Sequence, residues 1–285
     1  MPTDLRSLLA CGRVLIADGA MGTMLFQRGL PRDACPEAWN VLRPEVVRAI
    51  IREYVEAGAD LVTTNTFGAN GMRLGRYGFA GRVAELNVAA VQLAREAGAL
   101  TILGSIGPTG PRDDELPRDE ARDAHAVQAR ALDSAGVDAM LLETFTDLDD
   151  VSAALAAVKS ATKLPVFATM SCCLGRNALN TATAGEVAQA LVGGGADAVG
   201  ANCGNGPAEL VPVMLEMRIA VEAPLIARPN AGLPRLVAGE HVYDLTPAAL
   251  AKFAVQFREA GVNIIGGCCG TTPAHTRAIV QQIRE

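Results

Sequence analysis

Aromatic side chains are scarce in this chain of 285 residues: one Trp, three Tyr and seven Phe, 4% in all. A core must therefore be assembled mainly from Ala, Val, Leu and Gly, which suits a parallel sheet wrapped by closely packed helices. A surplus of basic charge is also missing. The formal net charge is -6, whereas a nucleic-acid surface would need a basic stripe, so no nucleic-acid partner is expected. No run reaches the ~18 consecutive apolar residues of a membrane span. The first residues carry only a short apolar run, Leu8-Leu9-Ala10, without the basic start and long apolar middle of a secretory signal. No membrane partner is expected, and the expected compartment is the cytoplasm. Histidine is limited to His125, His241 and His275. None has a partner at useful spacing, so all three read as surface or capping residues: His125 within a helix, His241 in a loop, His275 at a helix start.

Half of the residues are hydrophobic, ample for a large core. Short β-branched or apolar runs recur, at Val14–Ala17, Leu61–Thr64, Thr101–Leu103, Ala139–Leu142, Val166–Thr169, Ala198–Ala201, Leu225–Ala227 and Asn263–Ile265. Each ends in a polar or glycine-rich stretch and reads as a buried strand. Helical periodicity lies between them, as in Val46, Val47, Ile50, Ile51 and Tyr54, or Leu250, Phe253, Ala254 and Phe257. Thr246-Pro247 and Thr272-Pro273 each offer an N-cap followed by proline, and Thr183 with Glu186 reads as a capping box. Eight β-then-α units without a linker predict a (β/α)₈ barrel, one domain over residues 1–285. A doubly wound sheet is the alternative and would need a reversal of strand order. The longest irregular stretches, 19–43 and 68–78, follow strands, on the face where barrels carry chemistry. Trp39, in the first of them, reads as a lid or as packing, and the 112–123 charge run as a solvated loop and helix start.

Seven cysteines is an odd count, and two pairs are adjacent, Cys172-Cys173 and Cys268-Cys269. That arrangement suits metal binding or catalysis better than disulfides. Cys203 follows the sixth predicted strand; Cys268 and Cys269 follow the eighth, with glycines on both sides. Strand ends on one face of a barrel converge, so these three thiols can meet. Three thiolates around Zn²⁺ leave one tetrahedral position open, as in catalytic rather than structural sites. A coordinating thiol is deprotonated outright, so a substrate thiol entering there would be ready to attack an activated methyl group. The competing reading is that all three are buried core cysteines. Cys172-Cys173 also follows a strand but lacks the flanking glycines, and reads as packing or as incidental to the site. A hydrolase is disfavoured, because such sites use His and carboxylate ligands to activate water.

At these residues the chain resembles the homocysteine S-methyltransferase family. The matching segments are 18–23 (Asp-Gly-Ala-Met-Gly-Thr), 64–67 (Thr-Asn-Thr-Phe), Gly107-Pro108-Thr109, Glu143-Thr144, Asn202-Cys203, 229–234 (Pro-Asn-Ala-Gly-Leu-Pro) and 266–273 (Gly-Gly-Cys-Cys-Gly-Thr-Thr-Pro). The resemblance implies a zinc site of Cys203, Cys268 and Cys269, and that Asp18 and Glu143 engage the amino group of homocysteine. An ammonium needs acceptor carboxylates, and both acids follow predicted strands, although acids there also cap helices or form structural ion pairs. The resemblance further implies that Asn230 occupies the open zinc position until homocysteine displaces it; otherwise Asn230 is a turn former. In the betaine-using branch a Tyr after the matching Glu does that work. Thr144 stands there in this chain, which argues against betaine as donor. The implied activity is methylation of homocysteine to methionine. The donor would be a methyl-corrinoid on a separate protein, since the chain has no room for cobalamin and folate domains, or else a sulfonium such as S-methylmethionine. A non-catalytic zinc- and thiol-binding subunit is the remaining alternative.

Overall fold

The computed structural model describes Leu5, Leu9 and residues 12–110, 118–171, 182–237 and 240–285. Strands β1 (Leu15–Ile16), β2 (Leu61–Thr63), β3 (Thr101–Ile106), β4 (Ala139–Phe145), β5 (Val166–Ser171), β6 (Ala198–Cys203) and β7 (Leu225–Pro229) alternate with helices. A small antiparallel hairpin, β8 (Arg235–Val237) and β9 (Glu240–Val242), then precedes the last barrel strand, β10 (Ile264–Ile265). The sheet runs β1-β10-β7-β6-β5-β4-β3-β2, its strand pairs all parallel. A parallel bridge between Ala17 and Leu61 closes the ring. Closure with no reversal of strand order rules out the doubly wound alternative and establishes the (β/α)₈ barrel. Among the described residues no helix is long and apolar enough to cross a membrane.

Side chains alternate across each strand, and the two phases form two cores. Leu15, Leu61, Leu103, Leu141, Phe167, Ala198, Ile226 and Ile264 fill the barrel interior, with Leu5 and Leu9 in the same cluster. Ile16, Val62, Ile102, Met140, Leu142, Val199, Leu225 and Ile265 face the helices. The helix Pro44–Glu56 is typical of the outer ring: Val47, Ile50, Ile51 and Tyr54 follow the 3.6-residue period and are its buried face. The predicted caps are present. Thr183 and Glu186 form a capping box, Thr246 accepts from Ala249 N, and Thr272 precedes Pro273 with His275 completing a capping box.

Several details differ from the sequence reading. β3 to β7 run two or three residues beyond their predicted ends, so Cys203 is a strand residue rather than one following a strand. The parallel ladder continues there because polar side chains, which read as loop, point into the barrel mouth. The hairpin β8–β9 was not predicted, and it contains His241. His125 is neither a surface nor a capping residue. It is buried, 5.8 Å from the Phe145 ring, with Nε2 3.2 Å from the Gly107 carbonyl oxygen. Trp39 is buried packing, with Arg43 over its ring. The irregular stretches contain short helices, Gly22–Gln27, Trp39–Leu42 and Gly71–Gly75. Cys172 and Cys173 lie outside the described residues, as does the 111–117 part of the charge run.

Candidate functional site

The interior phase continues upward from its apolar layer. Two residues beyond Leu61, Leu103, Leu141, Phe167 and Ile226 come Thr63, Ser105, Glu143, Thr169 and Arg228; four beyond Ala198 and Ile264 come Asn202 and Cys268. The C-terminal mouth of the barrel is therefore lined by polar groups set on rigid strands, the usual place for barrel chemistry.

The sulfurs of Cys203, Cys268 and Cys269 all lie within 4.8 Å of one another. They come from the end of β6 and from the turn after β10, with β7 between those strands. Cys203 is at φ 64, a left-handed backbone that a residue other than glycine adopts only when its surroundings impose it. The turn after β10 is stitched to the loop after β1. Ala20 N donates to Thr271 Oγ1 at 3.1 Å, Thr271 Oγ1 donates to the Cys268 carbonyl at 2.6 Å, and Tyr54 Oη donates to the Ala20 carbonyl at 2.8 Å. Gly270 is required twice over: its φ is 79, and a Cβ there would sit 2.1 Å from Cγ of Tyr243. The Tyr243 ring thus packs against the turn that carries Cys269.

The three thiols perturb one another. Hydrogen bonds from Cys268 and Cys269 pull the Cys203 thiol far below its ordinary value, and hydrogen bonding to Cys203, with burial, pushes Cys268 and Cys269 up. Three sulfurs drawn together in this way share a negative charge that a divalent cation would neutralise. Tetrahedral zinc with Zn–S near 2.3 Å places its sulfurs ~3.8 Å apart; Cys268 and Cys269 are already 4.0 Å apart. Asn230, placed after β7, adds a second observation. Its Nδ2 donates to Cys203 Sγ at 3.5 Å and to the Gly204 carbonyl at 2.5 Å, while its Oδ1 is buried with no hydrogen-bond partner among the described residues. A buried acceptor left unpaired is costly, and an amide whose Nδ2 already reaches Cys203 Sγ has an oxygen to offer to a fourth metal position. These residues fit a metal ion.

Asp18 and Glu143 also lie together, joined by a group the sequence reading missed. Arg228 Nη2 donates to Asp18 Oδ1 at 2.8 Å, and Arg228 Nη1 lies 3.7 Å from Glu143 Oε2. Thr63 donates to Asp18 through its backbone N at 2.7 Å and through its hydroxyl. Ser105 Oγ donates to Glu143 Oε1 at 2.5 Å. Burial pushes the Asp18 carboxyl up to about 6, against the pull of Arg228. Asn202 is the second missed residue. It is buried, donates to Thr144 Oγ1 at 2.7 Å and lies 3.7 Å from Cys268 Sγ. Tyr243 is the third. Strand phase would have found Arg228 and Asn202; Tyr243 follows an unpredicted hairpin and left no such signal.

Fold and site define a class: a (β/α)₈ barrel whose mouth carries three cysteines fit for a metal ion, next to a buried cluster of two carboxylates and a guanidinium. The model of the homocysteine S-methyltransferase family matches residues 15–283, and the chain belongs to that family. The methionine synthases of Mycobacterium tuberculosis and Mycobacterium leprae are each 37% identical over 304 residues, an alignment covering 99% of this chain and 25% of those proteins. The chain thus spans about a quarter of the length of these relatives. Among solved structures, the homocysteine methyltransferase MmuM from Escherichia coli is similar in its metallated form, with a TM-score of 0.81 at 24% identity, covering 99% of this chain and 100% of that one. Its oxidized form gives 0.82 at 25%, covering 98% and 99%.

Proposed function

We propose that this protein is a zinc-dependent S-methyltransferase that methylates the thiol of homocysteine, giving methionine, with residues 1–285 acting as one homocysteine-binding domain. The observation that carries the reading is the convergence of the Cys203, Cys268 and Cys269 sulfurs beside the Asp18–Arg228–Glu143 cluster. Those cysteines would hold zinc, with Asn230 Oδ1 as the ligand that substrate displaces. Zinc, when bound, supplies the Lewis acidity that keeps an incoming thiol ionised at neutral pH.

The residues of the chain bind and orient the amino acid. Glu143, the more open of the two carboxylates, accepts from the α-ammonium of homocysteine, and Asp18 adds its charge from deeper in the barrel. Asn202 ties the Glu143-Thr144 strand end to Cys268, so the subsite for the amino group and the thiols keep a common frame. Strand-mounted groups of this kind hold a nucleophile in line for attack without loop rearrangement.

The donor is proposed to be a methyl-corrinoid on a separate protein. Support comes from the two methionine synthases, most of whose length lies outside the segment matched here. Because the site needs its cysteines reduced, a reducing compartment is favoured, and we place the protein in the cytoplasm. The test is a donor panel on zinc-loaded protein: homocysteine with isotopically labelled methyl-corrinoid protein, S-methylmethionine or betaine, reading labelled methionine. Methionine from the corrinoid arm is expected. Transfer from the sulfonium with no corrinoid present would overturn the donor assignment. Stoichiometric zinc and bound thiol with no methionine from any donor would make this a non-catalytic thiol-binding subunit.

A further inference from the structure

Arg228 belongs to none of the family-like motifs, yet with Asp18 it is among the most enclosed charges in the mouth. It sits on β7, two residues beyond Ile226, and its side chain is 4% exposed. Its guanidinium is only partly used. Nη2 reaches Asp18 Oδ1 at 2.8 Å and Thr63 Oγ1 at 3.3 Å. Nε donates to the Gly267 carbonyl at 3.2 Å, at the glycine just before Cys268. Among the described residues Nη1 has no hydrogen-bond partner, and it points toward Glu143 Oε2, 3.7 Å away. A buried guanidinium N–H without an acceptor costs free energy, and it is stable here because two carboxylates flank it.

Among the described residues, the hydroxyl groups around this cluster are uncharged, and Cys268 adds the thiolate charge that belongs to the metal site. From the helix Pro44–Glu56, Tyr54 donates to the carbonyls of Ala20 and Thr271 and is held neutral by burial. β2 contributes Thr63, β3 contributes Ser105, and the turn after β10 contributes Cys268. Two carboxylates and one guanidinium thus sum to one net negative charge when both acids are ionised. Burial works against that state at Asp18, and Arg228 is the largest influence favouring it.

We propose that Arg228 is a positioning residue of the amino-acid subsite: it keeps Asp18 ionised inside the barrel, orients Glu143 from behind, and so leaves the subsite one negative charge to match a single α-ammonium. The inference rests on the homocysteine reading above and adds a specificity determinant to it. A thiol of the same length without the ammonium, such as 4-mercaptobutyrate, leaves that charge unpaired and binds more weakly.

The experiment compares homocysteine and 4-mercaptobutyrate binding to zinc-loaded protein by calorimetry between pH 5 and 8.5, for the wild type, Arg228→Met and Arg228→Lys. In the wild type the preference for homocysteine is expected to fall off below about pH 6, as Asp18 takes up a proton. In Arg228→Met the Asp18 midpoint moves up by about one pH unit or more, but Glu143 alone then still leaves one negative charge once Asp18 is protonated, so the wild-type fall in preference below about pH 6 disappears, while 4-mercaptobutyrate changes little. Arg228→Lys keeps the positive charge and the wild-type limb, and it carries the test should the Met variant fold poorly. Equal loss for both thiols at every pH would reduce Arg228 to packing and overturn the proposal. So would a Lys variant that loses the limb as Met does. Carboxyl ¹³C NMR of Asp18 without any thiol separates this inference from the function it rests on. A wild-type protein with no preference for homocysteine sinks the homocysteine reading, whereas an Asp18 midpoint unmoved in Arg228→Met sinks the role of Arg228.

Discussion

Asn202 and Thr144 exchange two hydrogen bonds across the ends of β6 and β4. Thr144 N donates to Asn202 Oδ1 at 2.9 Å, and Asn202 Nδ2 donates to Thr144 Oγ1 at 2.7 Å. The exchange holds Thr144 at φ 65, a conformation costing a β-branched residue about 1–3 kcal/mol. It also sets the backbone one residue beyond Glu143 while Asn202 faces Cys268. Strain is tolerated where the neighbouring structure over-determines it, and here it joins the carboxylate cluster to the thiols.

Replacing Asn202 by Ala should remove that joint. Thr144 N and Thr169 Oγ1 both donate to Asn202 Oδ1 and would lose their acceptor in a buried setting. A loss of about 1–3 kcal/mol in stability is expected, measurable by denaturant unfolding. Zinc content should stay near one per chain, while kcat/KM for homocysteine falls about tenfold. An unchanged kcat/KM would show that the link carries no function.

Each of Cys203→Ala, Cys268→Ala and Cys269→Ala should cut bound zinc well below one per chain and lower methyl transfer at least about a hundredfold, because two sulfurs cannot hold the ion against solvent. Cys35→Ala is the control. Cys35 is buried and bonded to Glu37 at 3.3 Å, and its loss should cost stability but no metal. Metal analysis with a thermal melt separates the two cases. A Cys269→Ser protein with full zinc and full activity would remove Cys269 from the ligand set.

Asn230→Ala tests the displaceable ligand. With cobalt in place of zinc, the visible spectrum of the substrate-free variant should differ from wild type, since the oxygen donor is gone. After homocysteine is added the two spectra should coincide. Metal content should hold, because the three sulfurs remain. Identical spectra before homocysteine is added would show that Asn230 is a turn residue only.

The Asp18 carboxyl sets a pH dependence of stability whose sign runs opposite to that of most acids. Its folded value lies near 6, above the ordinary 3.8, so the folded state binds the proton more tightly than the unfolded one. The stabilising contribution is full below about pH 3.8 and is lost as the pH rises through 6. The shift corresponds to roughly 3 kcal/mol. Asp18→Asn cannot titrate. Its stability relative to wild type should therefore improve by up to roughly that amount between pH 4 and pH 7, read from denaturant midpoints; a constant difference would contradict the burial argument.

Much of the barrel was legible because its signal is local. All eight runs of β-branched and apolar residues became strands, and Thr183, Thr246 and Thr272 capped the helices expected of them. The upper ends of β3 to β7 were misjudged because polar residues such as Ser105, Glu143 and Asn202 look like loop when only hydrophobicity is counted. The hairpin β8–β9 escaped because β8 is exposed throughout and so carries no alternation of buried and exposed positions. Within the site, residue type and placement singled out the three cysteines, and the family resemblance singled out the two acids. His125 was misplaced because nothing in its own segment announces that the Phe145 ring and the Gly107 carbonyl would cover it.

Residue order by itself determined which side chains share the inner phase of each strand, how many thiols were available, and that a glycine would follow Cys269. Only the closed tertiary ring decided that Cys203 and Cys268, carried by β6 and the turn after β10, would meet with Asn230 between them. It alone also placed Arg228 between Asp18 and Glu143. The reason is physical: electrostatic coupling and burial depend on distance through space in a low-dielectric interior, and no local pattern records which distant strands a barrel brings side by side.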